Sequence, residues 1–136
     1  MARTIRDLVD RFYAIVNGAE GDFSEIFTED FTLGIMEGFP FGGDHNGLAA
    51  TNKFFEDFSA YFDFWTVETD KFLEVDPSNI IVTGKYISKA TSTGHPLDME
   101  TVHFWTASDG MLTSYKHFCD TAKVSVALDH KVPQYA

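Results

Sequence analysis

One cysteine, Cys119, stands among 136 residues, so no disulfide can close within the chain and a reducing compartment is expected. Arginine is nearly as scarce. Arg3, Arg6 and Arg11 are the only three, which leaves nothing beyond residue 11 to clamp a carboxylate or phosphate bidentately. No apolar run approaches the ~20 residues a membrane span needs. The start, MARTIRDLVDRFY, is charged from its third residue and lacks the apolar stretch of a secretory signal, so a cytoplasmic protein is expected. No G-x-G-x-x-G, P-loop or nucleophile elbow occurs, which leaves nucleotide and serine chemistry without support. Lysine and arginine together number 10 against 21 carboxylates. The resulting formal charge of −11 repels phosphate backbones and anionic membranes, so neither nucleic acid nor membrane is an expected partner.

Aromatic residues are plentiful, at 15% of the chain with 14 Phe among them. The length suits one hydrophobic core, and residues 1–136 are read as a single domain. Charge is unevenly placed: residues 1–80 hold 16 acids and 5 bases, whereas residues 81–136 hold five of each.

Thr4 followed by Asp7 reads as a helix start. Ile5, Leu8, Val9, Phe12 and Val16 recur at helical spacing as far as Asn17-Gly18. Phe23, Ile26 and Phe27 suggest a second, short helix, and Phe31 to Met36 a strand. Glu37 to Gly47 is rich in glycine and is expected to be a loop. Phe54, Phe55, Phe58, Tyr61 and Phe62 form one aromatic stripe on a third helix. Four long strands follow: Trp65 to Val75, Ile80 to Ala90, Leu97 to Ala107 and Met111 to Val124. Helices first and adjacent strands after predict an α+β fold, a meander sheet with helices on one face.

The stretches LVDRFYAIVNGAEGDFSEIFTEDFTL, NGLAATNKFFEDF, GKYISKATSTGHPL and TVHFWTASDGMLTSYKHFCDTAKV, in that order, resemble the NTF2-like superfamily and its SnoaL-like branch. The resemblance implies a cone-shaped α+β fold, in which a curved, mostly antiparallel sheet wraps N-terminal helices around an apolar pocket, commonly in a homodimer. The superfamily includes ketosteroid isomerases, polyketide cyclases, epoxide hydrolases, dehydratases and non-catalytic proteins. The acid and base positions of the ketosteroid isomerase pattern fall here on Phe12, Ile35 and Val102, none of which moves a proton. The Asp–Arg–Asp group of the epoxide hydrolases has no arginine on the sheet. Cyclases and dehydratases of the SnoaL-like branch match better, with His103 on the third strand and His117 where the family usually has a carboxylate.

The last hairpin leaves two registers open. A three-residue loop Ser108-Asp109-Gly110 sets His103 opposite Tyr115 and puts His103, Tyr115 and His117 on one face. A two-residue Asp109-Gly110 turn sets His103 opposite Lys116 and brings Asp120 to that face instead. The first agrees with the resemblance and is the one expected.

The expected site is therefore His117 as base or acid, His103 as hydrogen-bond partner to an enolate-like oxygen, and Asp120 or Tyr115 as orienting group. Phe12, Val16, Phe58, Trp65, Tyr86, Trp105 and Tyr115 are expected to line a pocket for a flat apolar or aromatic molecule. No cofactor is expected, since proton transfer needs none. No metal is expected either, because Glu100 and His103, three apart on a strand, face opposite ways. Two functions stay open. One is a proton-shuttling isomerase, cyclase or dehydratase acting next to a carbonyl; the other is a non-catalytic small-molecule-binding or dimerisation module.

Overall fold

The computed structural model describes residues 3–135. Helix α1 (Ile5–Val16) starts at a capping box, in which Thr4 Oγ1 accepts from the Asp7 backbone N–H and the Asp7 carboxylate accepts from that of Thr4. Its inner stripe, Ile5, Leu8, Val9, Phe12 and Tyr13, is buried. The helix ends at Asn17, whose side chain reaches across to the sheet. Asn17 Nδ2 donates to Val67 O at 2.9 Å, and the Val67 N–H donates back to Oδ1 at 2.8 Å.

The second helix expected from sequence is only a 3-10 turn, Phe23–Glu25, capped by Asp22. Phe27, read as part of its apolar face, instead opens strand β1 (Phe27–Ile35). The sheet overrides the local pattern here, for Leu112 N–H donates to Ile26 O at 2.7 Å and Phe27 pairs with Leu112. The glycine-rich segment is not wholly a loop. Gly43–Asn46 forms strand β2, which pairs antiparallel with β1 and sets His45 opposite Leu33. Helix α2 (Leu48–Ser59) stops one turn early, so Phe62 begins β3 (Phe62–Asp76). Strands β4 (Asn79–Ala90), β5 (Pro96–Ser108) and β6 (Met111–Cys119) follow. The last strand does not run on to Val124. Asp120 accepts from the backbone N–H groups of Ala122 and Lys123 and caps a short helix, α3 (Thr121–Ala127).

The six strands form one curved, unclosed sheet in the order β2-β1-β6-β5-β4-β3. All neighbours are antiparallel except β1 and β6, which run parallel. The edge strand β3 exposes a row of backbone groups, and the Asn17 amide satisfies the pair at Val67. Alternation along β5 decides the faces. Leu97, Met99, Thr101, His103 and Trp105 are buried, with Phe104 between them exposed on the outer side.

The β5–β6 hairpin opens in the second register read from sequence and, beyond a bulge, follows neither. Asp109 (φ 51°) and Gly110 (φ 76°) are both left-handed and make a two-residue turn, with Ser108 opposite Met111. A bulge then follows, since Ala107 pairs with Leu112 but Thr106 with Ser114. The extra residue shifts the register once more and sets His103 opposite His117 and Trp105 opposite Tyr115. The expected facing of His103 and Tyr115 is thus off by two residues. Because a shift of two preserves side-chain parity, His103, Tyr115 and His117 still share the inner face.

Gly84 pairs with Thr69, beside one of the irregularities of the β3–β4 pair, between Thr69 and Lys71. A Cβ at Gly84 would lie 2.3 Å from the carbonyl oxygen of Glu68, so any side chain must push the two strands apart. Gly84→Ala is expected to lower unfolding stability by about 1–3 kcal/mol. Urea titration reads this directly, and an unchanged midpoint would show that the two strands have room to spare.

Candidate functional site

Helices α1 and α2, the Phe39 loop and the inner face of the sheet border a partly open cavity of about 240 Å³. Its wall is mostly aromatic. Phe12 and Val16 come from α1, Phe54, Phe55 and Phe58 from α2, and Trp65 and Val67 from β3, while Tyr86, His103, Tyr115 and His117 form the sheet side. No Asp or Glu among the described residues lines it.

Polar groups gather at that sheet side. Trp105 Nε1 donates to the Tyr13 hydroxyl at 3.0 Å, and that hydroxyl bonds His103 Nδ1 at 2.6 Å. His103 Nε2 lies 2.6 Å from the Tyr86 hydroxyl, which also contacts Tyr115 Oη at 3.1 Å and His117 Nδ1 at 2.9 Å. His103 thus has both nitrogens engaged. His117 has one engaged, and its Nε2 is buried with no hydrogen-bond partner among the described residues.

Burial sets the charge state of every member. It holds His103 well below the usual histidine range, with His117 nearby adding to the effect. His117 is pushed down to about 3 by burial alone. Burial likewise raises Tyr13, Tyr86 and Tyr115, so all three phenols keep their protons. At neutral pH the whole cluster is uncharged.

Of the residues expected to line a pocket, Phe12, Val16, Phe58, Trp65, Tyr86 and Tyr115 do so. Trp105 does not. It is buried behind the wall against Phe12 and Tyr115, with ring centroids 4.7 and 4.6 Å away, and its indole N–H is spent on Tyr13. Asp120 does not join the histidines either. The strand ends one residue before it, and its exposed carboxylate caps α3. Cys119 is half-buried, and burial lifts its thiol to about 12, which leaves it an inert neutral group. Among the described residues no cluster of three or more His, Cys, Asp or Glu is arranged to hold a metal.

Tyr13 and Phe39 escaped the sequence reading, as did the wall residues Phe23, Ile35, Ser59 and Val67. Tyr13 lies four residues after Val9 and beside Phe12, on the same helical stripe, and that spacing was the available signal. Phe39 lies in the glycine-rich segment, where no periodicity marks a buried residue. It is 2% exposed and meets His117 edge-on, with centroids 4.8 Å apart.

The family model of the SnoaL-like domain matches residues 9–115, and the chain belongs to that family. No curated protein matches it. Among solved structures, an NTF2-like protein of Burkholderia thailandensis is 22% identical, with a TM-score of 0.80 over 93% of this chain and 98% of that one. A putative SnoaL-like polyketide cyclase from Jannaschia sp. CCS1 is 19% identical, with a TM-score of 0.77 over 94% and 92%. A protein with a ketosteroid isomerase-like fold from Catenulispora acidiphila, solved with trimethylamine, is 13% identical, with a TM-score of 0.77 over 89% and 91%. At such identities the likeness establishes the fold alone. No helix among the described residues is long and apolar enough to cross a membrane.

Two buried neutral histidines make stability depend on pH with a defined sign. In the unfolded chain each titrates near 6.5. In the fold both stay neutral to lower pH, so below about 6.5 the unfolded state binds more protons and stability falls. The loss is roughly 1.4 kcal/mol per pH unit for each histidine, continuing down to about pH 3 for His117. Urea midpoints measured from pH 7 to pH 5 should decline steadily. A flat profile over that range would mean that the histidines are not buried as neutral groups.

Proposed function

We propose that this SnoaL-like protein binds a flat, apolar or aromatic small molecule in the cone cavity. The observation that carries this reading is the wall itself, made of aromatic rings and neutral polar groups with no carboxylate among the described residues lining it. Dispersion and apolar burial would supply the affinity and the Tyr–His cluster the orientation. A dry apolar cavity of about 150 Å³ holds benzene, and the one here, about 240 Å³, has room for a somewhat larger ring system. One solved structure of this fold, TerC, was co-crystallised with polyporic acid, which accords with a ring-shaped occupant.

A second reading keeps the family's chemistry: an isomerase, cyclase or dehydratase moving a proton next to a carbonyl. The hydrogen-bonded run of two histidines and three tyrosines favours it. Against it stands the lack of a base poised near neutrality, since burial weakens both imidazoles as proton acceptors. Thermal shift and Trp65 fluorescence against planar ketones, followed by proton exchange in deuterated water, separate the two. Saturable binding without exchange is expected. Ketone-specific exchange that disappears in His117→Gln would establish the enzyme, and absence of binding across the panel would refute both.

We also propose a homodimer formed through the outer face of the sheet. Leu73, Ile81 and Phe104 align across β3, β4 and β5 on that face, and Phe118 packs edge-on against Phe104 at 5.6 Å. Leu73 and Phe104 are 49% and 42% exposed in the single chain, an apolar strip that a two-fold copy would cover. Light scattering at micromolar concentration should give twice the 15.3 kDa chain mass, and Phe104→Glu should halve it. A monomer in the unmodified protein removes this claim.

A further inference from the structure

The proton inventory of the buried cluster points to the kind of ligand it accepts. Six groups, Trp105, Tyr13, His103, Tyr86, Tyr115 and His117, are joined by five hydrogen bonds in a branched chain with no closed ring, and the Thr101 hydroxyl, which also approaches Tyr86, donates instead to Phe118 O at 3.0 Å. With both imidazoles neutral, each group carries one proton to donate. Five bonds use five protons, so one remains over, and its position can be deduced.

Trp105 can only donate, so its proton is fixed on Tyr13. If His103 held the spare, both its nitrogens would have to accept, which leaves a neutral imidazole with no N–H. Were it on Tyr86, one phenol oxygen would accept from both histidines and from Tyr115, three bonds for two lone pairs. A spare on Tyr13 or Tyr115 forces His117 to donate through Nδ1. That arrangement buries two unmet groups, a hydroxyl hydrogen and the bare lone pair of His117 Nε2. With the spare on His117, protons run from Trp105 to Tyr13, to His103, to Tyr86 and on to His117 Nδ1, while Tyr115 donates to Tyr86. Every partner is then satisfied, and a single group is unmet, the N–H at His117 Nε2.

We infer that His117 holds a fixed Nε2–H donor within the cavity wall, which makes the site selective for a ligand with an acceptor-only oxygen such as a ketone or quinone carbonyl. This rests on the reading that the cavity takes a small molecule. His117 then polarises a carbonyl as a neutral donor, the role the sequence assigned to His103. It cannot act as the base expected of it, because its lone pair, on Nδ1, is held by the Tyr86 hydroxyl. Tyr86 is a positioning residue, since its proton selects the His117 tautomer. A ligand offering only N–H donors would meet a donor and leave two hydrogens facing each other.

Two measurements decide this separately from the binding reading. Nitrogen-15 NMR of histidine side chains in the free protein at neutral pH should show His117 protonated at Nε2, and Tyr86→Phe should let the Nδ1–H form appear. Finding Nδ1–H in the unmodified protein overturns the inference whatever binds. In calorimetric titrations 1-tetralone should bind about tenfold more tightly than tetralin, the same skeleton without the carbonyl, and indole, a neutral bicycle whose N–H can only donate, more weakly than the ketone. His117→Phe should erase that preference while tetralin still binds. Equal affinities for 1-tetralone and tetralin overturn the ligand class and leave the small-molecule pocket standing. No binding of any of the three, with the Nε2–H tautomer observed, defeats the pocket reading and the ligand class with it.

Discussion

The Tyr86 hydroxyl holds three buried contacts at once, to His103 at 2.6 Å, His117 at 2.9 Å and Tyr115 at 3.1 Å. It sits on β4, His103 on β5, and Tyr115 and His117 on β6, so this one oxygen ties three neighbouring strands together from inside the cone. Tyr13 adds α1 to the same network through His103. A partly satisfied polar cluster would be costly in a core this aromatic. The positions of β4, β5, β6 and α1 are therefore coupled, and a register slip in any one would strand several buried groups together. The bulge after the Asp109-Gly110 turn shows the constraint at work. The turn alone would point Lys116 inward, and the extra residue restores the face that carries Tyr115 and His117.

Much of this was legible in the sequence, for reasons visible in particular residues. The capping pair Thr4 and Asp7, the stripe ending at Val16 and the alternation from Leu97 to Trp105 are local signals, and local signals survive folding. The inner-face trio His103, Tyr115 and His117 was legible because parity is robust to a shift of two. The pairing was less so. A bulge is set by contacts across the sheet, and nothing in Met111 to Ser114 announces it. Helix α3 was hidden as well, since Asp120 reads equally as a strand residue and as a cap until Thr121–Ala127 is seen to be helical. β2 was lost in a segment whose glycines signalled a loop, although its pairing with β1 is long-range.

The surplus of acid and the surplus of aromatics serve different parts of the molecule. Carboxylates dominate the first 80 residues, and none among the described residues reaches the cavity wall. The aromatics make that wall and the core behind it, from Phe12 and Phe39 to Trp105. The polar groups on the cavity's sheet side are neutral and almost completely paired; among the described residues the buried exceptions are Thr28 Oγ1, which does not line the cavity, and one ring nitrogen of His117, which does. That single unmet atom gives an otherwise apolar cavity a direction.

A crystal structure of the protein soaked with 1-tetralone tests this most directly. The ketone oxygen should lie within hydrogen-bond distance of His117 Nε2, with its rings against Phe39 and Phe58 and the Tyr86 contacts unbroken. A ketone whose oxygen faces elsewhere, or a His117 ring that has left Tyr86 to reach it, would contradict the donor assignment.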